Sequence, residues 1–508
     1  MRDLLSRLVK RKIGIGALVL QLVASVILAV LVIRLHVLNY SYTALVAILL
    51  AVVFVLLVLA NGVKNKFHYV AKAMSVVLAI VCVFGSYYCT KAKETVESMT
   101  DKNVQIDCVS IYVLKTNSAS TINDVADGLF ATLKLEDNGK VDDAVKTIVT
   151  NVGKVIKTED YKDPVSAAKA LYEKNVDAII MDDSFVGTIE EQDTYKNFGE
   201  ETKILVSYEH KTTLKNENKI SDVTEKPFNV FISGIDTFGD VNKKSRSDVN
   251  MVATINPKTK QILLSSTPRD YYVNTTVSGD MKDKLTHAGL YGTKCSIGTL
   301  ESLYNIKINY YVKVNFSGFK KIVDALGGVT VHSDCTFTSD QGPAFVEGDN
   351  EMNGKEALAF ARQRHGFKTG DLQRNKNQQY VLKGIIDKLC SPAILTNFSE
   401  ILKSIEGNMI TNLEYDDIAS FVQMQLTDNA SWNIITVGVD GDDESLTTYS
   451  MPSTRAYVMI PDDIKVANVT SLINRISAGE KISQKDAKEI VATTPTPAPT
   501  PTEQPKKK

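Results

Sequence analysis

Acidic and basic residues gather in the second half of the chain, at the ends of predicted strands. Asp236 follows a glycine directly after a strand-like run, and Arg246 and Asp248 stand two residues apart at the entrance to the next strand. A strand period of two places Arg246 and Asp248 on one face. Pro268 ends a third strand and presents Arg269 beyond it. Ligand sites in α/β proteins commonly form at such strand ends.

A second group of basic residues falls in one short region further along. Arg362 and Arg364 stand two residues apart and point the same way if the backbone is extended. Asp371, Arg374 and Gln378 follow at i, i+3 and i+7, on one face of a predicted helix. The region therefore offers three arginines and one amide to a single place.

Arginines and carboxylates in this combination favour phosphate chemistry. The guanidinium group is planar, always charged and rich in donors, so it grips phosphate oxygens well. Magnesium commonly binds through one or two carboxylates together with substrate phosphates. Converging side chains would thus form a pyrophosphate site with a divalent ion. Each arginine taken alone is more simply half of a surface ion pair, and Arg362 and Arg364 could merely flank Asp371.

Three apolar runs near the amino terminus are long enough to cross a bilayer as helices, which takes about 20 residues. They span residues 13–33, 44–63 and roughly 69–89, where Lys72 can snorkel to the headgroups. A cleavable signal peptide is the alternative for the first run, but no small-x-small site follows it. We therefore predict three transmembrane helices within residues 13–90, after a basic cytoplasmic tail of residues 1–12.

The distribution of lysine and arginine predicts the orientation of these helices. The basic amino terminus and the second loop, with Lys64 and Lys66, are expected in the cytoplasm. Everything after about Lys91 is then extracytoplasmic, in a multi-pass protein of the cell membrane. If the third run did not span, the large polar part would be cytoplasmic instead.

The polar remainder divides into two predicted units and a tail. Residues 104–226 alternate strand-like runs with helix-like runs over 121–133 and 167–174, which predicts a smaller α/β accessory domain. Asp182 and Asp183 follow one of its strands and could be functional, although a solvated strand end is the simpler explanation for both. Residues 227–482 mix strands and helices, including a helix over 371–389, which predicts a central sheet flanked by helices. The fold class is thus α/β, or mixed α+β.

The remaining composition narrows the function. Residues 483–508 contain a Pro/Thr repeat and are predicted to be disordered. The net charge of -1 gives no bulk basicity, which argues against nucleic acid as a partner. The six cysteines show no C-x-x-C spacing, so zinc is not expected and buried free thiols are the default, with disulfides as the alternative.

At these motifs the chain resembles the LytR-CpsA-Psr (LCP) family, most closely its streptococcal CpsA type. The resemblance covers about 228–389, a third of the chain, and its preceding unit resembles the accessory domain of capsule-type members. The matching segments occur in order: Gly234-Ile-Asp236, Arg246-Ser-Asp248, Pro268-Arg269-Asp270, Lys284-Leu-Thr-His287-Ala, Asp324-Ala-Leu-Gly-Gly-Val329, Gly354-Lys-Glu-Ala-Leu358, and Arg362-Gln-Arg364 with Asp371, Arg374 and Gln378. Thr267 and Thr286 depart from the usual serine and asparagine.

The resemblance implies a magnesium-dependent glycopolymer phosphotransferase, or ligase, that acts in cell-wall and capsule biogenesis. It implies transfer of capsular polysaccharide from undecaprenyl pyrophosphate to peptidoglycan, with capsule-synthesis proteins as further partners. By position Asp236 and Asp248 would hold Mg²⁺ and act in catalysis with three arginines: Arg269, Arg362 and Arg364. The lipid pyrophosphate would be bound by the following residues: Arg246, Arg269, Lys284, Arg362, Arg364, Arg374 and Gln378.

Two other functions remain open at this point. A polyprenyl-pyrophosphate hydrolase or phosphatase would use the same site with water as acceptor. A membrane regulator without catalysis would have little more than a twelve-residue basic tail in the cytoplasm, too little for a folded DNA-binding domain.

A polyprenyl tail also needs an apolar cavity. Five residues are candidates for its lining, although ordinary core is the simpler explanation for them: Leu303, Ile322, Val323, Leu326 and Leu358.

Overall fold

Three long apolar helices precede two folded units. The computed structural model describes residues 12–37, 39–63, 66–100, 104–133, 135, 139–215, 217–235, 239–391, 401 and 403–493. The first helices are α1 Lys12–Leu35, α2 Tyr40–Gly62 and α3 Phe67–Thr100. Each contains a stretch long and apolar enough to cross a membrane, which confirms the three predicted apolar helices. Helices α1 and α3 pack together through Ala24, Ala79 and Cys82.

The accessory unit is built on a five-stranded mixed sheet. Its strands are β1 Val104–Leu114, β2 Leu129–Leu133, β3 Lys157–Tyr161, β4 Ala178–Asp182 and β5 Thr202–Thr213. Its α-helices are α4 Lys140–Val152, α5 Pro164–Tyr172, α6 Val186–Ile189 and α7 Phe198–Glu201. The strand order is β3-β2-β4-β1-β5, in which β1 pairs antiparallel with β4 and β5 while β2 runs parallel to β3 and β4.

The predicted helix over residues 121–133 is wrong. The segment forms a 3₁₀ turn at Ile122–Val125 and then strand β2. Phe130 and Leu133 are buried in clusters on opposite faces of the sheet. Gly128 separates the two elements, and a Cβ there would collide with the side chain of Asp177. Burial on both faces of the sheet therefore overrides the local helix pattern.

The second unit is larger and carries a six-stranded central sheet. Its strands are β6 Phe228–Ile235, β7 Ser247–Asn256, β8 Gln261–Thr267, β9 Tyr272–Asn274, β10 Lys282–Lys284, β11 Tyr310–Asn315, β12 Val329–Ser333, β13 Phe337–Thr338, β14 Ala344–Phe345, β15 Gly348–Met352, β16 Met409–Thr411, β17 Asn433–Gly438, β18 Gly441–Thr448 and β19 Met451–Pro461. Its α-helices are α8 Thr293–Tyr304, α9 Phe316–Ala325, α10 Gly354–Arg362, α11 Asp371–Leu389, α12 Tyr415–Asp428, α13 Asp463–Ser477 and α14 Gln484–Ala492. The central order is β16-β11-β6-β7-β8-β17. The mixed α/β architecture predicted from the sequence is confirmed.

Side chains of the central sheet alternate between two faces, as strand geometry requires. On one face Phe231, Val252 and Leu263 belong to the main core, which helix α13 completes. On the other face Val230 and Met251 belong to a second cluster, against which side chains of α11 and α12 pack. This second face borders the cavity of the candidate site.

The predicted disorder over 483–508 is wrong for its first part, because helix α14 Gln484–Ala492 lies within it. Ser483 caps the helix and accepts a hydrogen bond from the backbone nitrogen of Asp486 at 3.2 Å. Ala487 is fully buried in the main core. The proline repeat follows the helix, and residues 494–508 lie outside the described residues.

Buried ion pairs join the two units. Lys244 Nζ lies 2.9 Å from Asp107 Oδ1 and 2.8 Å from Asp182 Oδ2, with all three side chains almost inaccessible. Asp183 accepts a hydrogen bond from the Tyr112 hydroxyl at 2.8 Å. The expectation of a solvated strand end is therefore wrong for Asp182, which pairs with Lys244 of the second unit. Asp183 is half-buried, and its hydrogen-bond donor Tyr112 belongs to its own unit.

Candidate functional site

The central sheet brings the start of β7 and the end of β8 together. The two strands are antiparallel, with Asn250 opposite Thr267, so the residues just before and after these positions become neighbours. Asp248 Oδ1 accepts a hydrogen bond from Arg269 Nη1 at 2.6 Å. Two residues from separate predicted motifs thus form one ion pair.

The end of β6 approaches the same place. Ile235 pairs with Ser247 across a register shift, which positions the end of β6 beside the start of β7. Asp236 follows at once but lies outside the described residues. Its predicted role as a metal ligand therefore stays a prediction that rests on its position in the chain.

Helices α10 and α11 supply the second group of arginines. Helix α10 ends at Arg362 because Gln363 has an extended backbone, with ψ at 125°. The Arg362 guanidinium lies over the Phe316 ring, 4.4 Å from its centroid, a cation–π contact that orients it. Arg364 Nε lies 3.9 Å from Asp371 Oδ1, and Arg374 forms an ion pair with the same carboxylate. Burial raises the pKa of Asp371, although Arg374 opposes this.

A cavity of about 840 Å³ faces these side chains. Most of its walls are apolar and come from β6, β7, α11 and α12. Six predicted site residues line it: Asp248, Arg269, Arg362, Arg364, Arg374 and Gln378. Charged residues from three separate motifs therefore border one apolar cavity.

The apolar lining reaches the membrane helices. Leu35 at the end of α1 and Ala92 of α3 belong to the cavity wall. The Tyr415 hydroxyl of α12 donates a hydrogen bond to the backbone oxygen of Leu35 at 2.7 Å, which ties the two regions together. Of the candidate lipid-contacting residues, Ile322 and Leu358 line the cavity. The other three pack in core clusters: Leu303, Val323 and Leu326.

Several buried polar atoms at the charged part of the cavity form no hydrogen bond within the described residues. They are Arg269 Nε, Arg374 Nε and Gln378 Oε1. A buried donor without an acceptor costs about 1–3 kcal/mol. An anion with several oxygens, such as a diphosphate, would satisfy the two guanidinium donors at once.

The residues also fit a magnesium ion. Asp248 Oδ1 is engaged by Arg269, which leaves Oδ2 as the oxygen that can turn to a cation. One or two carboxylates with substrate phosphates are a common magnesium environment. Among the described residues no group of three or more His, Cys, Asp or Glu side chains is placed to hold a metal ion, and Asp236, the second predicted ligand, lies outside them.

Arg246 and Lys284 are also predicted to bind pyrophosphate, but the structure places them against the accessory unit and not in the cavity wall. Both contact Glu191, just after helix α6 of the accessory unit. Arg246 Nη1 donates to Oε1 at 2.9 Å and Lys284 Nζ donates to Oε2 at 2.9 Å. Arg269 Nη2 lies 3.6 Å from Oε1. Sequence reasoning missed Glu191, because it stands 55 positions before Arg246 and has no motif around it.

The chain is similar in sequence to several known proteins. The LytR_cpsA_psr family model matches residues 196–464, more than half of the chain. The polyisoprenyl-teichoic acid–peptidoglycan teichoic acid transferase TagU of Enterococcus faecalis is 39% identical over 196 residues, which cover 38% of this chain and 64% of that protein, just under two thirds. TagU of Bacillus anthracis is 40% identical over 211 residues, 40% of this chain and 68% of that protein. The crystal structure of B. subtilis TagV is 30% identical and covers 51% of this chain and 99% of that one, with a TM-score of 0.42.

Proposed function

We propose that this chain, which belongs to the LytR-CpsA-Psr family, transfers a phosphate-linked glycopolymer from a polyprenyl pyrophosphate carrier to peptidoglycan. Relatives that match it are named as transferases acting between polyisoprenyl-linked teichoic acid and peptidoglycan. For this chain we propose undecaprenyl as the lipid and capsular polysaccharide as the polymer, since the accessory unit resembles that of capsule-type members.

The observation that carries this proposal is a single cavity with two kinds of wall. Arg269, Arg362 and Arg374 border it with cationic groups, and apolar side chains line the rest. A polyprenyl pyrophosphate has the same division, with a charged diphosphate joined to a long apolar chain. The cavity therefore matches both parts of the donor in one molecule.

The chemistry follows from the charge that the site can hold. An acceptor hydroxyl of peptidoglycan attacks the phosphorus next to the polymer, and the bond to the bridging oxygen breaks. Polyprenyl phosphate leaves, and the hydroxyl proton passes to it or to solvent. Arg269, Arg364 and Arg374 stabilise the negative charge that spreads over the phosphate oxygens. When bound by Asp236 and Asp248, Mg²⁺ supplies further positive charge at the phosphates.

The proposed location is the outer face of the cell membrane. Peptidoglycan is extracytoplasmic, so the acceptor is available only there. The contact of Tyr415 with Leu35 holds the second unit beside the carboxyl end of α1, opposite the basic amino terminus. That arrangement supports the predicted orientation, with the basic tail inside and the folded units outside.

The test uses the full chain in detergent with a lipid-linked donor and peptidoglycan fragments. Arg362→Ala and Arg364→Ala should each abolish most of the transfer, since each removes a permanent charge from the cavity wall. Arg475→Ala is the matched control, because Arg475 pairs with Glu480 on the surface and is distant in sequence from the cavity arginines. Full activity in both cavity variants contradicts the proposed site. Release of free polymer at the same rate with and without peptidoglycan identifies a hydrolase instead.

A further inference from the structure

A carboxylate from the accessory unit lies among the cations of the proposed site. Glu191 binds Arg246 and Lys284 through its two oxygens, each at 2.9 Å. Arg269 Nη2 and His287 Nε2 each lie 3.6 Å from Oε1. Burial would raise the pKa of Glu191, but His287, Lys284 and Arg246 hold it well below its usual range. Glu191 is therefore a charged side chain surrounded by basic groups.

Glu191 connects residues outside the cavity with a residue inside it. Arg269 lines the cavity and holds Asp248 at 2.6 Å, while its other terminal nitrogen faces Glu191. His287 is fully buried behind this group, and its Nδ1 lies 2.7 Å from Asp283 Oδ1. Asp270 also contacts two of these cations, at 3.3 Å from Lys284 Nζ and 3.8 Å from Arg269 Nε. Without the Glu191 carboxylate, however, Arg246 would lose its partner, and the positive charges of Arg246, Arg269 and Lys284 would repel one another more strongly in a poorly solvated place.

The local backbone is shaped for this contact. The Gly187 backbone oxygen in helix α6 accepts a hydrogen bond from Arg246 Nη1 at 3.1 Å. A Cβ at Gly187 would lie 3.1 Å from the guanidinium atoms of Arg246, so a larger residue would require that guanidinium group to shift slightly. Lys244, two positions before Arg246, forms buried ion pairs with Asp107 and Asp182 that hold the same two units together. The approach of Glu191 is thus fixed on several sides.

We propose that Glu191 is a positioning residue, through which the accessory unit assembles the cationic cluster of the transferase site. It holds Arg246 and Lys284 and balances the charge beside Arg269, so that Arg269 stays paired with Asp248 at the cavity wall. The accessory unit is then part of the reaction machinery. This inference rests on the proposed function, because the cluster matters only if a diphosphate binds there.

The first test is Glu191→Gln in the full chain, assayed for transfer with lipid-linked donor and peptidoglycan. The amide keeps the shape but loses the charge, and its NH₂ faces cations. We expect kcat to fall about tenfold, with a smaller change in KM, because the arginines still reach the donor but are misplaced in the transition state. Glu191→Asp, which keeps the charge, should recover part of the loss. Glu200→Gln, on the exposed face of α7, is the control and should match wild type.

A second variant leaves the carboxylate in place. Gly187→Ala pushes on Arg246 while Glu191 remains, and kcat should again fall several-fold. This variant decides the matter if Glu191→Gln does not fold, as thermal unfolding would show. The inference is overturned if Glu191→Gln folds and keeps the wild-type kcat. If Glu191→Gln does not fold, the inference is overturned when Gly187→Ala keeps the wild-type kcat. The inference is also overturned if Glu191→Gln has a lower KM for the donor and a higher kcat than wild type, because Glu191 would then compete with the diphosphate.

Binding of geranyl diphosphate separates this inference from the proposed function. Wild-type protein should bind this short probe in calorimetry, as an analogue of the donor's charged end. If wild type binds it and transfers polymer while the Glu191 and Gly187 variants are unaffected, only the role of Glu191 is refuted. If wild type neither binds the probe nor transfers polymer, the proposed function fails and the role of Glu191 fails with it.

Discussion

Replacing Lys244 with methionine should uncouple the two folded units. Its ammonium bridges Asp107 and Asp182 at 2.9 Å and 2.8 Å, and the three side chains are 6%, 0% and 4% exposed. Removing one member of such a buried group costs about 3–5 kcal/mol, because the remaining charges stay buried. Lys140 still pairs with Asp107 in the variant, so we expect the lower end, about 3 kcal/mol.

The loss can be measured by urea unfolding with two probes. Trp432 is the only tryptophan and lies in the second unit, so its fluorescence reports on that unit alone, whereas circular dichroism reports on both. Wild type should give coincident transitions. In Lys244→Met an earlier phase should appear in circular dichroism before the fluorescence changes.

Two further variants make the result specific. Lys258→Met removes an exposed ion pair with Glu225 and should leave both transitions unchanged. Adding Asp182→Asn to Lys244→Met should restore part of the stability, because it removes one of the two stranded carboxylates. A destabilisation below about 1 kcal/mol with coincident transitions would refute the view that this buried group joins the units.

Three other predictions concern the site and its surroundings. Arg374→Lys keeps the charge but loses the planar pair of donors, so transfer should fall at least about tenfold while the melting temperature changes little. Leu358→Trp fills part of the cavity, so it should raise KM for the long-chain donor more than it weakens the binding of geranyl diphosphate. Equal effects on the two ligands would count against a lipid site. Burial lowers the pKa of Lys313 from 10.5 to about 8. The unfolded state therefore binds more protons between these values, and stability should rise by about 3 kcal/mol from pH 8 to 10.5, a rise that Lys313→Met removes in urea titrations.

The parts of the structure that could be predicted from the sequence are those governed by local patterns. Helix Asp371–Leu389 has the predicted bounds. The turn residues Asn256-Pro-Lys-Thr, between two strand-like runs, predict the β7–β8 hairpin that the structure shows. Asp248 and Arg269 meet because both stand at strand ends, a position that the sequence alone reveals. Of the two arginines that the simpler explanation placed beside Asp371, Arg364 lies 3.9 Å from its carboxylate, whereas Arg362 lies over the Phe316 ring. Both arginines also line the cavity.

The remaining parts depended on contacts between distant segments. Glu191 belongs to a different unit from its partners, so no spacing rule connects it with Lys284. Asp182 was expected to be solvated because its own unit leaves it at a strand end, and only docking of the second unit buries it. Strand β2 forms where a helix was predicted because distant helices cover the two faces of its sheet, α5 beside Leu133 and α4 beside Phe130.

The membrane helices constrain how a lipid donor could reach the charged cluster. The carboxyl end of α1 and the second half of α3 both lie against α12, through Leu35, Ala92 and Tyr415. These two helices run in the same direction, because contacts advance together along both, from Ser25 with Cys82 to Leu28 with Gly85. Helix α2 must therefore run back between them in the chain. A third run that failed to cross would break this arrangement. Because the apolar wall of the cavity begins at the same ends, we propose that the carrier's chain stays in continuous apolar surroundings from bilayer to cavity while its diphosphate meets the arginines.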